Sequence, residues 1–250
     1  MQTIRLIIDE KANTAAKNMA IDTALQHFCT TPTLRLYTWN PAAISIGRFQ
    51  SLQDEVNEDA CKKNKVDIIR RVTGGGAVFH ENEITYSFCI PEKNNYFSTD
   101  LHESYQFICQ AVIIGLNKFN LDVKYIPIND LIVNNKKISG CAQTRKKGIL
   151  LQHGTILMKV NVDKMFQLLK VPNEKIRDKL ITDVKARVTS IENEIKNIVS
   201  KEQVIKNIIT GFEQQLKVKT IQSDMTAEEI KFAEQIEKDV FLSKNWNYER

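Results

Sequence analysis

Arg70-Arg71-Val72-Thr73-Gly74-Gly75-Gly76-Ala77-Val78-Phe79-His80 lies between two strand-like runs. Three consecutive glycines do not continue a strand interior, because each lacks a side chain to pack and loses much backbone freedom on folding. What they provide is a backbone that bends sharply and lets a ligand approach its amides. Arg70 and Arg71 add fixed positive charge just ahead of the bend, and guanidinium plus amide donors suit a phosphate or a carboxylate. The competing reading is a glycine turn with solvated arginines, and residue types alone leave both open. Common nucleotide motifs do not fit. There is no G-x-x-x-x-G-K-[ST], the triplet is not G-x-G-x-x-G, and a strand rather than a helix is expected after it.

Working outward, residues 66–72 (VDIIRRV), AVFH and EITYSFCI read as strands, as do QTIRLII (2–8), LRLYTW (34–39) and AISIG (43–47). Helices are predicted at 14–28, with Ala16, Met19, Ala20, Thr23, Ala24 and His27 on one inward stripe, at about 53–64, and at 100–119. Residues 122–158 return to strand, with a hairpin at Asn134-Asn135 and a central strand in ILLQHGTILMKV. From about 161 the chain turns helical and Lys/Glu-rich. Ser200–Gln203 and Thr226–Glu229 read as capping boxes. Val204, Ile205, Ile208, Ile209, Phe212 and Leu216, then Ile230, Ala233, Ile236 and Val240, are expected to face inward. The expectation is one α/β (α+β) domain over residues 1–250, its sheet closed over by C-terminal helices.

Composition narrows the class. With 250 residues, 42% hydrophobic, and only 9 Gly and 5 Pro, the chain is neither collagenous nor disordered. No apolar run approaches ~18 residues, so no membrane span is expected, and the start, with Asp9 and Glu10, does not read as a signal peptide. The five cysteines are scattered, odd in number and without a C-x-x-C, which reads as reduced thiols in a cytoplasmic protein and as no zinc site. No histidine spacing calls for a metal. The net charge of +5 is mild, and Arg145-Lys146-Lys147 lacks interleaved aromatics, so nucleic acid is not expected as a partner.

Three further residues are candidates. Lys137 closes the predicted hairpin beside small residues, where an ammonium could neutralise a carboxylate or phosphoryl oxygen; most lysines of this chain are simply solvated. His153 lies in an apolar strand, where a histidine is more often a satisfied core residue than a catalyst. Cys141 follows a glycine and could act as a nucleophile, although a small buried cysteine is commoner and no base lies near it in sequence.

RRVTGGGAVFH resembles the R-R-x-[ST]-G-G-G-A-V-[FY]-H signature of the lipoate–protein ligases, and NDL…KKISGCAQ…HGTIL resembles their second conserved stretch. NMAID, LRLYTWNPAAISIGRFQ, KVPNEKIRDK with ARVTSI, and the terminal NWNYER extend the likeness over nearly the whole chain. The resemblance implies a biotin/lipoyl-ligase-type fold, a mixed β-sheet flanked by helices. It implies attachment of lipoate or octanoate to a lysine of lipoyl carrier domains, such as those of 2-oxoacid dehydrogenase E2 and the glycine cleavage H protein. In the ligases, ATP and Mg²⁺ first activate the acid as an acyl-adenylate. By motif match Arg71, Gly76, Ala77, Val78, Phe79 and Lys137 would hold the adenylate, with Lys137 the catalytic cation. Gly74, Gly75, His80 and His153 would belong to the acyl-binding loop and its surroundings.

Two departures bear on this. Full-length bacterial ligases carry a further small C-terminal domain that this length does not accommodate, so a separate accessory subunit is one expectation. A related branch of cofactor-free octanoyltransferases and amidotransferases works through an acyl-cysteine upstream of the K-x-x-G segment. Here that region reads NLDVKYIPINDL, without a cysteine. The adenylating ligase is therefore the leading expectation and the ATP-independent transferase the alternative. A non-catalytic acyl-binding module is a third reading, which the retained glycine loop, Arg71 and Lys137 disfavour. Carrier domains of this type are usually acidic, so the basic residues at 145–147 are expected to steer them near the dock.

Overall fold

Both faces of the larger sheet are covered, so its interior strands are buried on both sides, apolar on one face (Leu34, Leu36, Ile84, Tyr86, Phe88, Ile90) and largely polar on the other (Thr33, Arg35, Glu83, Thr85, Ser87). The computed structural model describes residues 2–97, 99–170 and 177–250. In chain order the first elements are β1 (Thr3–Ile8), α1 (Ala15–Phe28), β2 (Thr33–Tyr37), β3 (Ala43–Ile46), α2 (Leu52–Glu55), α3 (Glu58–Lys63), β4 (Asp67–Arg70), β5 (Val78–His80), β6 (Glu83–Pro91) and α4 (Leu101–Asn117). They are followed by β7 (Lys124–Ile126), β8 (Asp130–Val133), β9 (Lys136–Lys146), β10 (Ile149–Leu157), α5 (Val162–Leu168), α6 (Arg177–Arg187) and α7 (Ile191–Ile195). The chain ends with α8 (Lys201–Leu216), β11 (Lys219–Gln222), α9 (Ala227–Ile236), a π turn at Glu237–Phe241, and α10 (Lys244–Asn247). Part of the KVPNEKIRDK segment, residues 171–176, lies outside the described residues.

The larger sheet runs β11-β1-β2-β6-β10-β9-β8-β7 and a smaller one β4-β3-β5. β1 is parallel to β2 and β11, and the ladders from β2 through β7 are antiparallel. One face is packed by α4 and α8, around Phe88, Ile108, Val112, Ile208 and Phe212. These two helices cross closely: a Cβ on Gly211 would stand 2.1 Å from the Ala111 carbonyl oxygen. The opposite face is packed by α1, α9 and the π turn through Met19, Ala20, Leu25, Ala233 and Phe241. The hairpin at Asn134-Asn135 takes positive φ at both residues (49° and 61°), the conformation of a tight two-residue turn.

Four local expectations change. The helix expected at 53–64 is two, because Val56 is extended and Asn57 starts a new helix by capping the Ala60 amide. β11 interrupts the helical tail as a short strand pairing with the β1 edge. Ile230 points outward, at 44% exposed, and Glu229 takes the inward position in an ion pair with Arg5 (2.5 Å). His27 is also exposed and stacks on Phe232 with ring centroids 4.5 Å apart. Among the described residues no helix is long and apolar enough to cross a membrane.

Candidate active site

The glycine stretch is irregular, as its composition requires. It leaves β4 after Arg70 and rejoins strand at Val78. Gly75 takes φ +95°, which favours glycine. Gly47, after β3, packs so tightly against it that a Cβ would meet the Gly75 carbonyl oxygen at 2.0 Å. The loop borders a cavity of about 270 Å³ with a largely apolar wall, to which both sheets contribute. Arg71, Gly75, Gly76, Ala77, Val78, Phe79, His80, Lys137, Cys141 and His153 all line it, whereas Gly74 does not. Two sequence regions some sixty residues apart therefore meet at one site.

Arg71 is not a free cation. Its Nε donates to Thr73 Oγ1 (3.1 Å), Nη1 to the Ser45 carbonyl and hydroxyl oxygens (3.1 and 3.2 Å), and Nη2 to the carbonyls of Gly74 and Gly76 (2.7 and 2.8 Å). All five N–H groups are thus spent on shaping the loop. Burial pushes its pKa down to about 10, and among the described residues no carboxylate is paired with it. The site carries a buried positive charge held by carbonyl dipoles, which favours an anion nearby without offering it a free donor.

Two imidazoles brace that guanidinium. His153 Nδ1 is 3.1 Å from Asp22 Oδ2, and its Nε2 is 2.7 Å from Thr73 Oγ1. A neutral ring satisfies both contacts when Nδ1–H donates to Asp22 and Nε2 accepts from the Thr73 hydroxyl. Burial lowers the His153 pKa, opposed in part by Asp22, which fits that tautomer. On the other side His80 Nδ1 lies 2.8 Å from Glu83 Oε1, Nε2 lies 2.8 Å from Ser45 Oγ, and the ring stacks on Trp39 with centroids 4.0 Å apart. The Asp22-His153-Thr73 series has the order of a nucleophilic triad, but Thr73 is fully buried and does not reach the cavity wall. Its hydroxyl is engaged with Arg71.

Lys137 stands at the start of β9, 40% exposed at its side chain, with Nζ 2.6 Å from Asp130 Oδ1. Gly140 leaves the space it occupies: a Cβ there would be 2.7 Å from Lys137 Cε and Nζ. The Thr189 amide donates to the Lys137 carbonyl (2.8 Å), so the ARVTSI segment packs along the same strand. Cys141 is buried, its thiol donating to the Asn129 carbonyl (3.3 Å) and lying 3.5 Å from Cys109 Sγ. The Cys109 contact and burial hold its pKa well above the ordinary thiol range. Arg145-Lys146-Lys147 falls at the opposite end of β9 from Lys137, roughly 30 Å away at strand rise. The expected basic rim does not line this cavity, whose β9 lining ends at Ala142, and Arg145 is paired with Glu92 (3.1 Å).

Sequence reasoning assigned no role to Asp22, Arg35, Tyr37, Ser45, Glu83 or Trp39. Arg35 is fully buried between Asp9 (2.6 Å) and Asp22 (2.7 Å), and the Tyr37 hydroxyl donates to Asp22 (2.9 Å). The legible signal was Asn18, Asp22 and Gln26 at four-residue spacing, a polar stripe on a helix whose other residues are mostly apolar or small.

Comparison with known proteins agrees with this architecture. The profile of the lipoyl protein ligase A/B catalytic domain matches residues 14–213. The chain is 36% identical over 243 residues to octanoyltransferase LipM of Clostridioides difficile (strain 630), covering 88% of this chain and 90% of that protein. It is 31% identical to octanoyltransferase LipM of Bacillus subtilis (strain 168), covering 97% of each. A bi-partite lipoate protein ligase from Thermoplasma acidophilum superposes with a TM-score of 0.91 at 28% identity, over 99% of this chain and 97% of that one. A lipoate-protein ligase A bound with ATP superposes at 0.86 with 26% identity, over 99% of each chain. The chain belongs to the lipoyl protein ligase A/B catalytic-domain family, and is an enzyme of that family.

Proposed function

We propose that this protein transfers an octanoyl or lipoyl group onto the ε-amine of a lysine in a lipoyl carrier domain. The observation that carries the reading is the apolar cavity bounded by both the glycine loop and Lys137. Its wall suits an acyl chain, and its polar groups suit a carbonyl that gains negative charge. The amine of the acceptor attacks the acyl carbonyl carbon, a C–N bond forms, the donor leaves, and the amine loses a proton. Lys137 stabilises the oxygen on which charge develops, and the Arg71-braced loop excludes water from the acyl chain.

Two relatives are named octanoyltransferases, which favours direct transfer of an octanoyl group, and a thioester such as octanoyl acyl carrier protein would supply it without a nucleotide. In that case the departing group is a thiolate. Cys141 is the cavity's cysteine, yet its thiol is held protonated and engaged with Asn129 and Cys109. That observation supports a second reading, in which ATP activates the free acid as an acyl-adenylate and no acyl-cysteine is needed. The exposed Gly75 and Gly76, with Lys137, fit a phosphoryl group, and Lys137 and the loop would hold it. Among the described residues no three His, Cys, Asp or Glu side chains converge as a resident metal requires, so Mg²⁺ would arrive with the phosphates.

Purified protein with octanoyl acyl carrier protein and a lipoyl domain, without ATP, is expected to yield the octanoyl-domain by intact mass. Product only with free acid, ATP and Mg²⁺ would establish the second reading. No product in either arm would remove the proposal. Cys141→Ser separates the routes further: transfer stops if Cys141 carries the acyl group and continues near the wild-type rate otherwise.

Gly47→Ala tests the loop. Its new methyl meets backbone, not a flexible side chain, so the glycine loop must shift. Overpacking of this kind costs about 1–3 kcal/mol. Expressed at the site, that is a rise of about 5- to 150-fold in KM for the acyl donor. An unchanged KM would show that loop position does not matter to acyl binding.

A further inference from the structure

The terminal NWNYER motif and Arg70 meet each other. Arg70 was offered by the sequence as an anion-binding charge, but it is fully buried and its guanidinium donates only to main-chain oxygens. Nε donates to Trp246 O (2.9 Å) and Nη2 to Asn247 O (2.9 Å). Nη1 donates to the carbonyls of Gly47, Arg48 and Gln50 (3.2, 3.1 and 2.6 Å). The Arg70 amide donates to Asn247 Oδ1, and the Trp246 indole N–H to the Arg70 carbonyl, each at 2.8 Å. Asn247 Nδ2 is in turn fixed on Phe241 O (2.8 Å) and Ser243 O (3.1 Å). Outside this knot, Arg48 lies over the Trp246 ring at 4.5 Å and pairs with Glu249 at 2.5 Å.

The loop held in this way is the one that supports the glycine loop. The Arg48 amide donates to the Thr73 carbonyl (2.8 Å), the Arg71 amide to the Ile46 carbonyl (3.0 Å), and Gly47 abuts Gly75. A guanidinium is a rigid fork, so carbonyls bound to it are fixed relative to one another. Among the described residues no carboxylate is hydrogen-bonded to this guanidinium, so it depends on all of these carbonyls, because each one lost leaves a buried donor unsatisfied.

We propose that Trp246 and Asn247 are positioning residues. Acting through Arg70, they set the 47–50 loop and thereby hold the glycine loop in its ligand-binding arrangement. The kinetic part of this inference rests on the acyl-transfer reading, and the structural part does not.

The test is amide hydrogen exchange on the full-length protein with Trp246→Phe and, separately, Asn247→Ala. Trp246→Phe keeps an aromatic ring under Arg48 while removing the indole N–H and part of the ring's bulk, so it decides the matter if Asn247→Ala fails to fold. The amides of Arg48 and Arg71 are expected to exchange at least tenfold faster, with β6 and β10 at wild-type rates. Kinetically, KM for the octanoyl donor should rise about tenfold with kcat within twofold, since the clamp touches no reacting atom and uniform binding is what it supports. Faster exchange confined to residues 243–250 would overturn the proposal. So would equal acceleration throughout, or a fall in kcat at constant KM, because a smaller folded fraction produces those signatures. If the wild-type protein transfers no acyl group, the acyl-transfer reading fails and the exchange result alone decides this one.

Discussion

Lys137→Ala is expected to lower kcat for acyl transfer by about 10²–10³-fold, the usual effect of removing one preorganised charge-stabilising donor. The fold should survive, because the side chain is 40% exposed and its one ion-pair partner, Asp130, is about as exposed. An exposed pair of this kind contributes at most ~1 kcal/mol to stability. The change therefore separates catalysis from folding: melting temperature stays within a few degrees while product formation collapses. Octanoate or lipoate binding should weaken far less than turnover, since the apolar wall is untouched. Turnover within threefold of wild type would show that the charge developing in the reaction is met elsewhere, and the site assignment would fall. Gly140→Ala offers a second approach to the same atom, because its methyl would overlap Lys137 Cε and Nζ and displace the ammonium without deleting it.

The glycine loop and Lys137 could be read from sequence because their residue types contradict their surroundings. Three glycines between apolar strands have no packing explanation, and a lysine beside Gly140 occupies a place that a larger residue would close. What the loop is made of was legible, but not what holds it. Arg71 was read as a ligand-binding cation, yet its donors end on Thr73, Ser45, Gly74 and Gly76. No one-dimensional pattern says whether a guanidinium faces a ligand or its own backbone. Arg70 shows this more sharply, since its partners lie 176 and 177 positions away in the tail. Helix α1 was misread for a related reason. A helix packed between a sheet and α9 is buried nearly all round, so the inward stripe predicted from apolar spacing missed Asn18, Asp22 and Gln26 and included the exposed His27. Polar residues on a buried face carry information only through their partners, which come from β2 and β10. The choice between thioester and adenylate chemistry was likewise hidden, because it turns on the surroundings of Cys141.

Asp22→Ala is expected to destabilise the protein by about 3–5 kcal/mol, the cost of breaking a buried ion pair from one side. For a chain of this size that lowers the melting temperature by on the order of 10 °C. The carboxylate is almost fully buried and serves three partners at once: Arg35, the Tyr37 hydroxyl and His153. Burial alone would raise its pKa, but the His153 hydrogen bond and the Arg35 charge outweigh that and hold it below the ordinary value of 3.8. Asp22 therefore contributes stability that is present at neutral pH and is lost only as pH falls through its lowered pKa. His153 acts in a higher window. Folding keeps it neutral, whereas the unfolded chain protonates near the ordinary value of 6.5, so the unfolded state binds more protons below that pH and stability declines as pH drops. His153→Gln removes that titration, so the fall in melting temperature between pH 7.5 and pH 5.5, roughly spanning the ordinary histidine range, should shrink relative to wild type. An equal fall in both proteins would mean that His153 protonates alike folded and unfolded, so that the folded ring is charged at the acid end of that range. The ring would then donate from Nε2 to Thr73 as well, and Arg71 would face a second buried cation across one hydroxyl. Such an arrangement would leave the glycine loop repelled from the strand that supports it. The neutral tautomer is thus the condition under which Asp22, more than one hundred residues from His153 in sequence, steadies the glycine loop through Thr73.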